Sequence, residues 1–529
     1  MNKNWKRIAG FSLAAVMVMG MTVGCSKGDG GNSGTSGESK PVTLTYFMQS
    51  TQDWPLPKAD NPVMKKLTES TNVTIEWVPG SGEDWKTKFN TIIAGGKDNL
   101  PDLMMNDAGT INNYGKQQGA FIEITPEVLE SKMPNVKAQI DKSDYAQRAL
   151  YDAETGKLFA IPRMNQMQNS MSWMVRKDWL KDVGITKEPE TIDEFTAMLR
   201  AFKEKDPGDA GNRNIPFMLR NGAATFVPHA GPAWGLHWQG YTMDPDTREC
   251  TYNATTDAYK EELMWWNSLY KEGLIDAEFS TADTDRWQKY INQGWSGATL
   301  DYGVRTDQFT KELQKNDSDA EFGAITPPKG PNGASGITCY TDALLDFSVG
   351  ITANCKDTDA AYRLLNFMYS DEGSWLLGCG IDGYTYDGVD EDGNPNWKED
   401  IKIDQAAIAT VGKYGIMQPS SPRLLNNAEF AVMYGPLSME AIEKDKNSWL
   451  EPYDNLVLTT EQDTELNTIY NDVATLVTEQ SARFITGDRP FSDWDKFQNE
   501  LKAKKVDRLE ELYTIGQKAA GEKLAALNK

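Results

Sequence analysis

From Val42 onward the chain reads as alternating strands and helices. In VTLTYFM (Val42–Met48) the apolar Val42, Leu44, Tyr46 and Met48 fall on every second position, the period of a strand. Asn61-Pro62 then opens VMKKLTEST, with Asn61 placed to cap a helix and Pro62 in its first turn. NVTIEWV (Asn72–Val78) alternates again. DWKTKFNTIIAGG (Asp84–Gly96) reads as a helix closed by Gly95-Gly96, and PDLMMN (Pro101–Asn106) as a short buried strand. Strand, helix, strand, helix, strand with short links predicts a parallel sheet with helices on its faces. Farther on, Met171–Val175 predicts a strand running into a helix. TIDEFTAMLRAFKEKD (Thr191–Asp206) opens with a Thr-x-x-Glu capping box, and TDAYKEELMWWNSLYKEG predicts a helix ended by Gly273. The last third is more helical, with a long stretch over 460–485 and a final helix over 509–526. No internal repeat is visible. A parallel α/β chain of 529 residues most simply makes two lobes. Ligands of open α/β sheets bind beyond the carboxyl ends of the strands.

The N-terminus departs from this pattern. Lys3, Lys6 and Arg7 precede an apolar stretch over 8–23, which is short and interrupted by Gly10, Ser12, Gly20 and Thr22. This is the pattern of an export signal, expected over residues 1–24, rather than of a lasting membrane helix. Val23-Gly24-Cys25 resembles a bacterial lipobox, with Thr22 where Leu is usual. That resemblance implies a diacylglycerol thioether on Cys25, which becomes the mature N-terminus. The Gly/Ser-rich residues 25–40 that follow are expected to be a flexible tether.

Charge narrows the partners. The formal net charge is −23, and such a surface repels phosphate backbones, so no nucleic acid is expected. His229 and His237 are the only histidines, too few for a multi-histidine metal centre. Beyond Cys25 the cysteines are Cys250, Cys339, Cys355 and Cys379. Export permits disulfides, the spacing fixes no pairing, and buried free thiols are the reading adopted.

Catalytic motifs are sparse. The chain has no GxxxxGK[ST] loop, no HExxH and no GxSxG. Gly378-x-Gly380-x-x-Gly383 follows a helical segment and leads into TYDG, so it reads as a helix-to-loop turn and not as a dinucleotide site. A glycosidase needs paired carboxylates, but 77 acidic residues make chance pairs common. Asp283, Asp285 and Asp301 suit sugar contact as well as catalysis. The loop Asp206–Pro216 resembles a calcium loop at Asp206 and Gly211, yet Gly208 and Ala210 occupy ligand positions and no late Glu follows. A metal-free turn is expected, with neither metal nor other cofactor.

The aromatic residues point elsewhere. Trp54 follows the first strand, Trp234 and Trp238 lie in GPAWGLHWQG, and Trp295 and Tyr302 flank the strand in GWSGATLDYG. Loop aromatics beside Asn, Gln and Asp suit the C–H faces and hydroxyls of carbohydrate. Trp173, Trp179, Trp265 and Trp266 read as core.

Several segments together resemble a known family. AGGKDNLPDLMMND (Ala94–Asp107), GKLFAIPR (Gly156–Arg163), MVRKDWLKDVGI (Met174–Ile185), TIDEFTAMLRAFKEKDP, LYKEGLIDAEF (Leu269–Phe279), YSDEG (Tyr369–Gly373) and FSDWDKFQNELKA occur in the order found in extracellular solute-binding proteins of ABC importers, family 1, the long carbohydrate-binding lipoproteins of Firmicutes. The resemblance spans nearly the whole mature chain. It implies an α/β, two-lobed periplasmic-binding-protein-like fold of type II, with parallel-rich sheets and hinge-linked lobes, and no chemistry on the ligand.

The expected division is 41–168 for the first lobe, 169–325 for the second, 326–380 returning to the first, and 381–529 mainly second lobe and C-terminal helices. By position the family implies cleft residues at Gln49, Ser50, Trp54, Asn106 and Asp107, at the hinge residues Arg163 and Asn165, and at Trp234, Trp295 and Tyr302 opposite. Trp238 and Asp301 join them on the chemistry above. The implied partners are an oligosaccharide and a permease with a separate ATPase, with the protein a monomer anchored by lipid on the outer face of the bacterial cytoplasmic membrane. A surface glycoside hydrolase or lyase, and a binding protein for peptides or other solutes on the same fold, remain as alternatives.

Overall fold

A computed structural model describes residues 41–50, 55–81, 85–152, 155–165, 169–340, 342–391, 393–399, 401, 412–429 and 435–527. The residues expected to form an export signal and tether, with Cys25 and Trp54, lie outside the described residues.

The first strand, β1 (Val42–Ser50), extends the alternation two residues past Met48. Leu44, Tyr46 and Met48 enter one core, and Phe47 enters another on the opposite face. Asn61 caps the helix Pro62–Thr71, its side chain accepting from the Val63 N–H, and Pro62 sits where no intrahelical donor is lost. Then come β2 (Val73–Ser81), the helix Trp85–Ala94 and β3 (Leu103–Asn106). After four more helices, β4 (Ile161–Asn165) completes the first passage.

The second passage runs through β5 (Asn169–Arg176), the hairpin β6 (Tyr241–Met243) and β7 (Cys250–Tyr252), then β8 (Ala298–Tyr302), β9 (Phe322–Ile325) and β10 (Ile337–Tyr340). Here Thr191 and Glu194 close the capping box of the helix Ile192–Lys205. The chain returns with β11 (Ala343–Ile351), the hairpin β12 (Tyr386–Val389) and β13 (Pro395–Trp397), and β14 (Leu424–Leu425). It ends with β15 (Trp449–Leu450) and the helices Thr460–Thr486, Trp494–Ala503 and Val506–Leu527.

Two main sheets result. The first has the order β14-β4-β11-β3-β1-β2, all parallel except β11. The second has the order β15-β10-β5-β8, with β9 also on β5. Its strands β8, β9 and β10 all run antiparallel to β5, and β15 runs parallel to β10. The expectation of parallel-rich sheets therefore fails for the second lobe. β5 enters from the first lobe and runs away from it, and β10, which leads back to the first lobe at Ala343, must run the other way. The two faces of the first sheet carry separate cores around Leu44 and Phe47, and those of the second carry cores around Trp173 and Met174.

The chain crosses between sheets three times: between Asn165 and Asn169, between Tyr340 and Ala343, and between Leu425 and Trp449. Two expected boundaries shift. β10 belongs to the second sheet, so the return to the first lobe begins at Ala343 rather than at 326. The described residues between 381 and 425 pack on the first lobe rather than the second. The Met417 N–H donates to Leu377 O, Asn61 Nδ2 to Tyr384 Oη, and β14 pairs with β4. Short strands added at a sheet edge leave no periodic trace, which is why β14 was not expected.

The glycine cluster at 378–383 is a helix exit. Gly378 ends the helix Asp371–Gly378, and Gly380 at φ 88° turns the chain toward β12. Cys250, Cys339, Cys355 and Cys379 are free thiols; all but Cys355 are buried.

Candidate functional site

β4 points its carboxyl end toward the first crossing, and β1 and β3 run parallel to it in the same sheet. Gln49, Ser50, Asn106, Asp107 and Asn165 therefore share that end of the first sheet. β5 begins at the crossing, and Tyr302 at the end of β8 pairs with Met171 near its start. Asp301 and Tyr302 thus lie at the end of the second sheet nearest the crossing. The ends of both sheets border one gap.

On the first lobe the polar groups are held by the fold itself. Asn106 is buried and accepts from the Asp107 N–H, and Asp107 caps the helix Ala108–Gln118 by accepting from the Thr110 N–H and hydroxyl. Gln49 is half-buried, and its carbonyl accepts from Gln418 Nε2 at 2.7 Å. Ser50 is half-buried beside it. At the hinge, Arg163 lies 5.2 Å over the Phe347 ring and donates to Pro419 O at 2.9 Å. The Asn165 N–H donates to Asp342 O at 2.6 Å, and Asp342 also accepts from Ser143. The Asn165 side-chain oxygen is buried without a partner among the described residues.

On the second lobe Asp301 is the centre of a charge cluster. Its oxygens accept from Arg220 Nε at 2.6 Å, Arg220 Nη2 at 3.1 Å and Arg305 Nε at 3.0 Å. Both guanidinium groups also face the Trp287 ring, at 4.7 and 5.3 Å. Burial pulls the pKa of Arg305 down, and Asp301 is the charge that opposes this. Asp301 is 2 % exposed. Its role is to fix two arginines at the rim, and its own oxygens are already committed. Arg220 and Trp287 had no mark in the sequence; Arg220 lies 81 residues from Asp301, a pairing no local pattern encodes.

The aromatic candidates separate. Trp234 is 4 % exposed and packs on Trp265 at 5.3 Å, inside the core of the second lobe, so no stacking face is available to a ligand here. Trp295 precedes β8 whereas Tyr302 ends it, which puts them on the order of 20 Å apart at opposite ends of the sheet. The ring of Trp295 is covered by Arg213 at 4.3 Å. Trp238 is half-buried, donates to Leu450 O at 2.9 Å and stacks on His237. Tyr302 is half-buried at the gap. Trp173, Trp179 and Trp266 are core.

Asp283 caps the helix Thr284–Asn292, and exposed Asp285 lies in its first turn. In the loop 206–216 the Asp206 carboxylate accepts from the Ala210 and Gly211 N–H groups. Among the described residues no three His, Cys, Asp or Glu side chains are placed to share a metal ion.

The family model for bacterial extracellular solute-binding proteins matches residues 54–375, more than half the chain. The chain belongs to that family. This solute-binding protein is 26% identical over 405 residues to the lipoprotein LipO of Bacillus subtilis, covering 73% of this chain and 74% of LipO. It is 27% identical over 359 residues to the fructooligosaccharide ABC transporter substrate-binding protein FusA of Streptococcus pneumoniae, covering 63% of each. The crystal structure of the alginate-binding protein AlgQ2 without calcium ion superposes with a TM-score of 0.73 at 22% identity, over 91% of this chain and 98% of AlgQ2. The two-lobed solute-binding fold is thereby shared.

Proposed function

We propose that this solute-binding protein is the lipid-anchored receptor of an ABC importer, capturing an oligosaccharide in the gap between the two sheets and delivering it to a permease driven by a separate ATPase. The observation that carries the reading is the gap itself. The carboxyl ends of β1, β3 and β4 face Tyr302 and the Asp301-held Arg220 and Arg305 across a three-stranded crossing. Asn, Gln and Arg donors beside Tyr302 suit sugar hydroxyls, and Asp301 does not exhaust the donors of either guanidinium. Membership of the family and the sugar specificities in the names of FusA and AlgQ2 support the same class of ligand. No turnover is proposed: the ligand closes the lobes by binding the closed state more tightly than the open one. The anchor is Cys25, on the outer face of the cytoplasmic membrane, and the protein acts as a monomer.

The test is thermal unfolding against a panel of plant, mucin, alginate and fructan oligosaccharides, with reducing-sugar release measured in parallel. A ligand at 100 times its dissociation constant adds about 2.7 kcal/mol. The expected result is a shift of a few degrees with one glycan class and no new reducing ends. A flat response across the panel refutes the oligosaccharide reading, and product release refutes the receptor reading.

A further inference from the structure

A cavity of about 680 Å3 lies inside the second lobe, between the helices Ala223–Ala230, Asp257–Lys271 and Thr460–Thr486. The described lining residues all fall within 223–513 and include none of the strand-end residues at the gap, although Asp454 and Asn455 also bond to Arg148 and Ala149 of the first lobe. We propose that this cavity is a second binding site, for an uncharged sugar of one or two rings.

Glu262 is the deciding group. It is fully buried, and one carboxyl oxygen accepts from Trp266 Nε1 at 3.2 Å. The other, Oε2, has no partner among the described residues. A buried polar atom left unpaired costs about 1–3 kcal/mol, a cost that Leu or Met at this position would avoid. Glu262 lines the cavity. Burial raises its pKa well above the usual carboxylate range, which favours the neutral form with an O–H donor.

The rest of the wall is neutral too. The His229 imidazole has its pKa lowered to about 4 by burial, and its Nδ1 lies 2.9 Å from the Thr338 hydroxyl. Asp454 is ion-paired with both Arg148 and Arg248. Among the described lining residues there is no Lys or Arg to pair an anion, and the Asp454 carboxylate is already engaged. Half-buried Trp238 and exposed Tyr470 are the aromatic side chains of the lining with ring surface to offer, and Thr478 adds a hydroxyl. Ring faces with a few convergent polar groups, in a volume within the usual range for small ligands, match a compact polyol with an apolar C–H face.

The inference does not depend on what fills the gap. The full chain is titrated by calorimetry with glucose, galactose, mannose, N-acetylglucosamine, sucrose and maltose, as wild type and as Glu262→Gln, Glu262→Leu and Ala474→Trp. Ala474 lines the cavity from the helix Thr460–Thr486, and an indole there projects into it and takes up part of its volume. The expected result is that at least one sugar binds the wild type. Glu262→Gln, which keeps a neutral donor, retains that affinity, and Glu262→Leu weakens it roughly tenfold. Ala474→Trp abolishes it while leaving any oligosaccharide bound in the gap at its original affinity. If Glu262→Leu does not fold, Ala474→Trp alone decides. Absence of binding by every sugar, or equal binding to Ala474→Trp, overturns the proposal.

Discussion

Asp301→Asn removes the negative charge shared by Arg220 and Arg305. In the native protein that charge accepts three guanidinium hydrogen bonds at 2.6–3.1 Å, with Asp301 3 % exposed and the two arginines 16 % and 21 % exposed at their side chains. Removing one member of a buried pair costs about 3–5 kcal/mol, because the surviving charge stays desolvated. Partial exposure of both arginines lets water recover part of this, so the lower end applies, about 3 kcal/mol. Unfolding entropy scales as about 2.1 cal/mol/K per residue, or about 1 kcal/mol/K for the whole folded chain. The loss is therefore about 3 °C in Tm if both lobes unfold together, and about 6 °C if the second lobe unfolds alone.

Scanning calorimetry at pH 7 and low salt reads the shift, and two transitions instead of one distinguish the cases. The double variant Asp301→Asn with Arg305→Gln removes the repulsion between the two arginines and should regain part of the lost stability. A single-variant change below about 0.5 kcal/mol would refute the claim that Asp301 is the charge holding this cluster together. So would a double variant less stable than the sum of its parts.

Two further outcomes follow from buried groups. Trp234→Ala should lose about 3–5 kcal/mol of stability in denaturant melts, as for other large aromatic deletions from a core. A loss under 1 kcal/mol together with weakened ligand binding would show Trp234 to be a contact residue instead. Asp445 is buried beneath Ser170 and Ser172, both of which donate to it, and burial raises its pKa to about 7. The folded protein keeps this proton where the unfolded chain has released it, so stability falls as pH rises from about 4 to about 7. Asp445→Asn should remove that decline, and a parallel pH dependence for variant and wild type by chemical denaturation would refute it.

Much of the first lobe was legible because its signals are local. Val42–Met48 alternates, Asn61 and Pro62 start a helix, and Thr191 with Glu194 starts another in the second lobe; each is decided within a few residues. The second sheet was not legible as to direction, since β5 meets β8 and β10 only after more than a hundred intervening residues. The candidate site divides the same way. Positions at strand ends, such as Asn106 and Tyr302, follow from strand assignment and lie at the gap. Trp234 looked irregular among Gly and Pro, yet its short helical turn places the ring in the core. Asp301 looked available to a ligand, but its partners Arg220 and Arg305 are set by tertiary structure.

The interleaving of the lobes also dictates the order in which the polypeptide can be completed. β11 sits between β3 and β4 in the first sheet, but it is encoded after the whole of β5 to β10. As the chain emerges from its N-terminus, β3 and β4 each keep an unpaired edge until residue 343 has appeared. By then β5, β8, β9 and β10 are all present. The lobe whose synthesis begins second can therefore pair β5, β8, β9 and β10 before β3 and β4 of the first lobe can be joined, although its edge strand β15 comes last of all. The earlier lobe must wait with open edges, a non-local closure of the kind that slows folding and invites aggregation. A solute-binding protein built this way is open to wrong strand pairing for as long as β11 is missing.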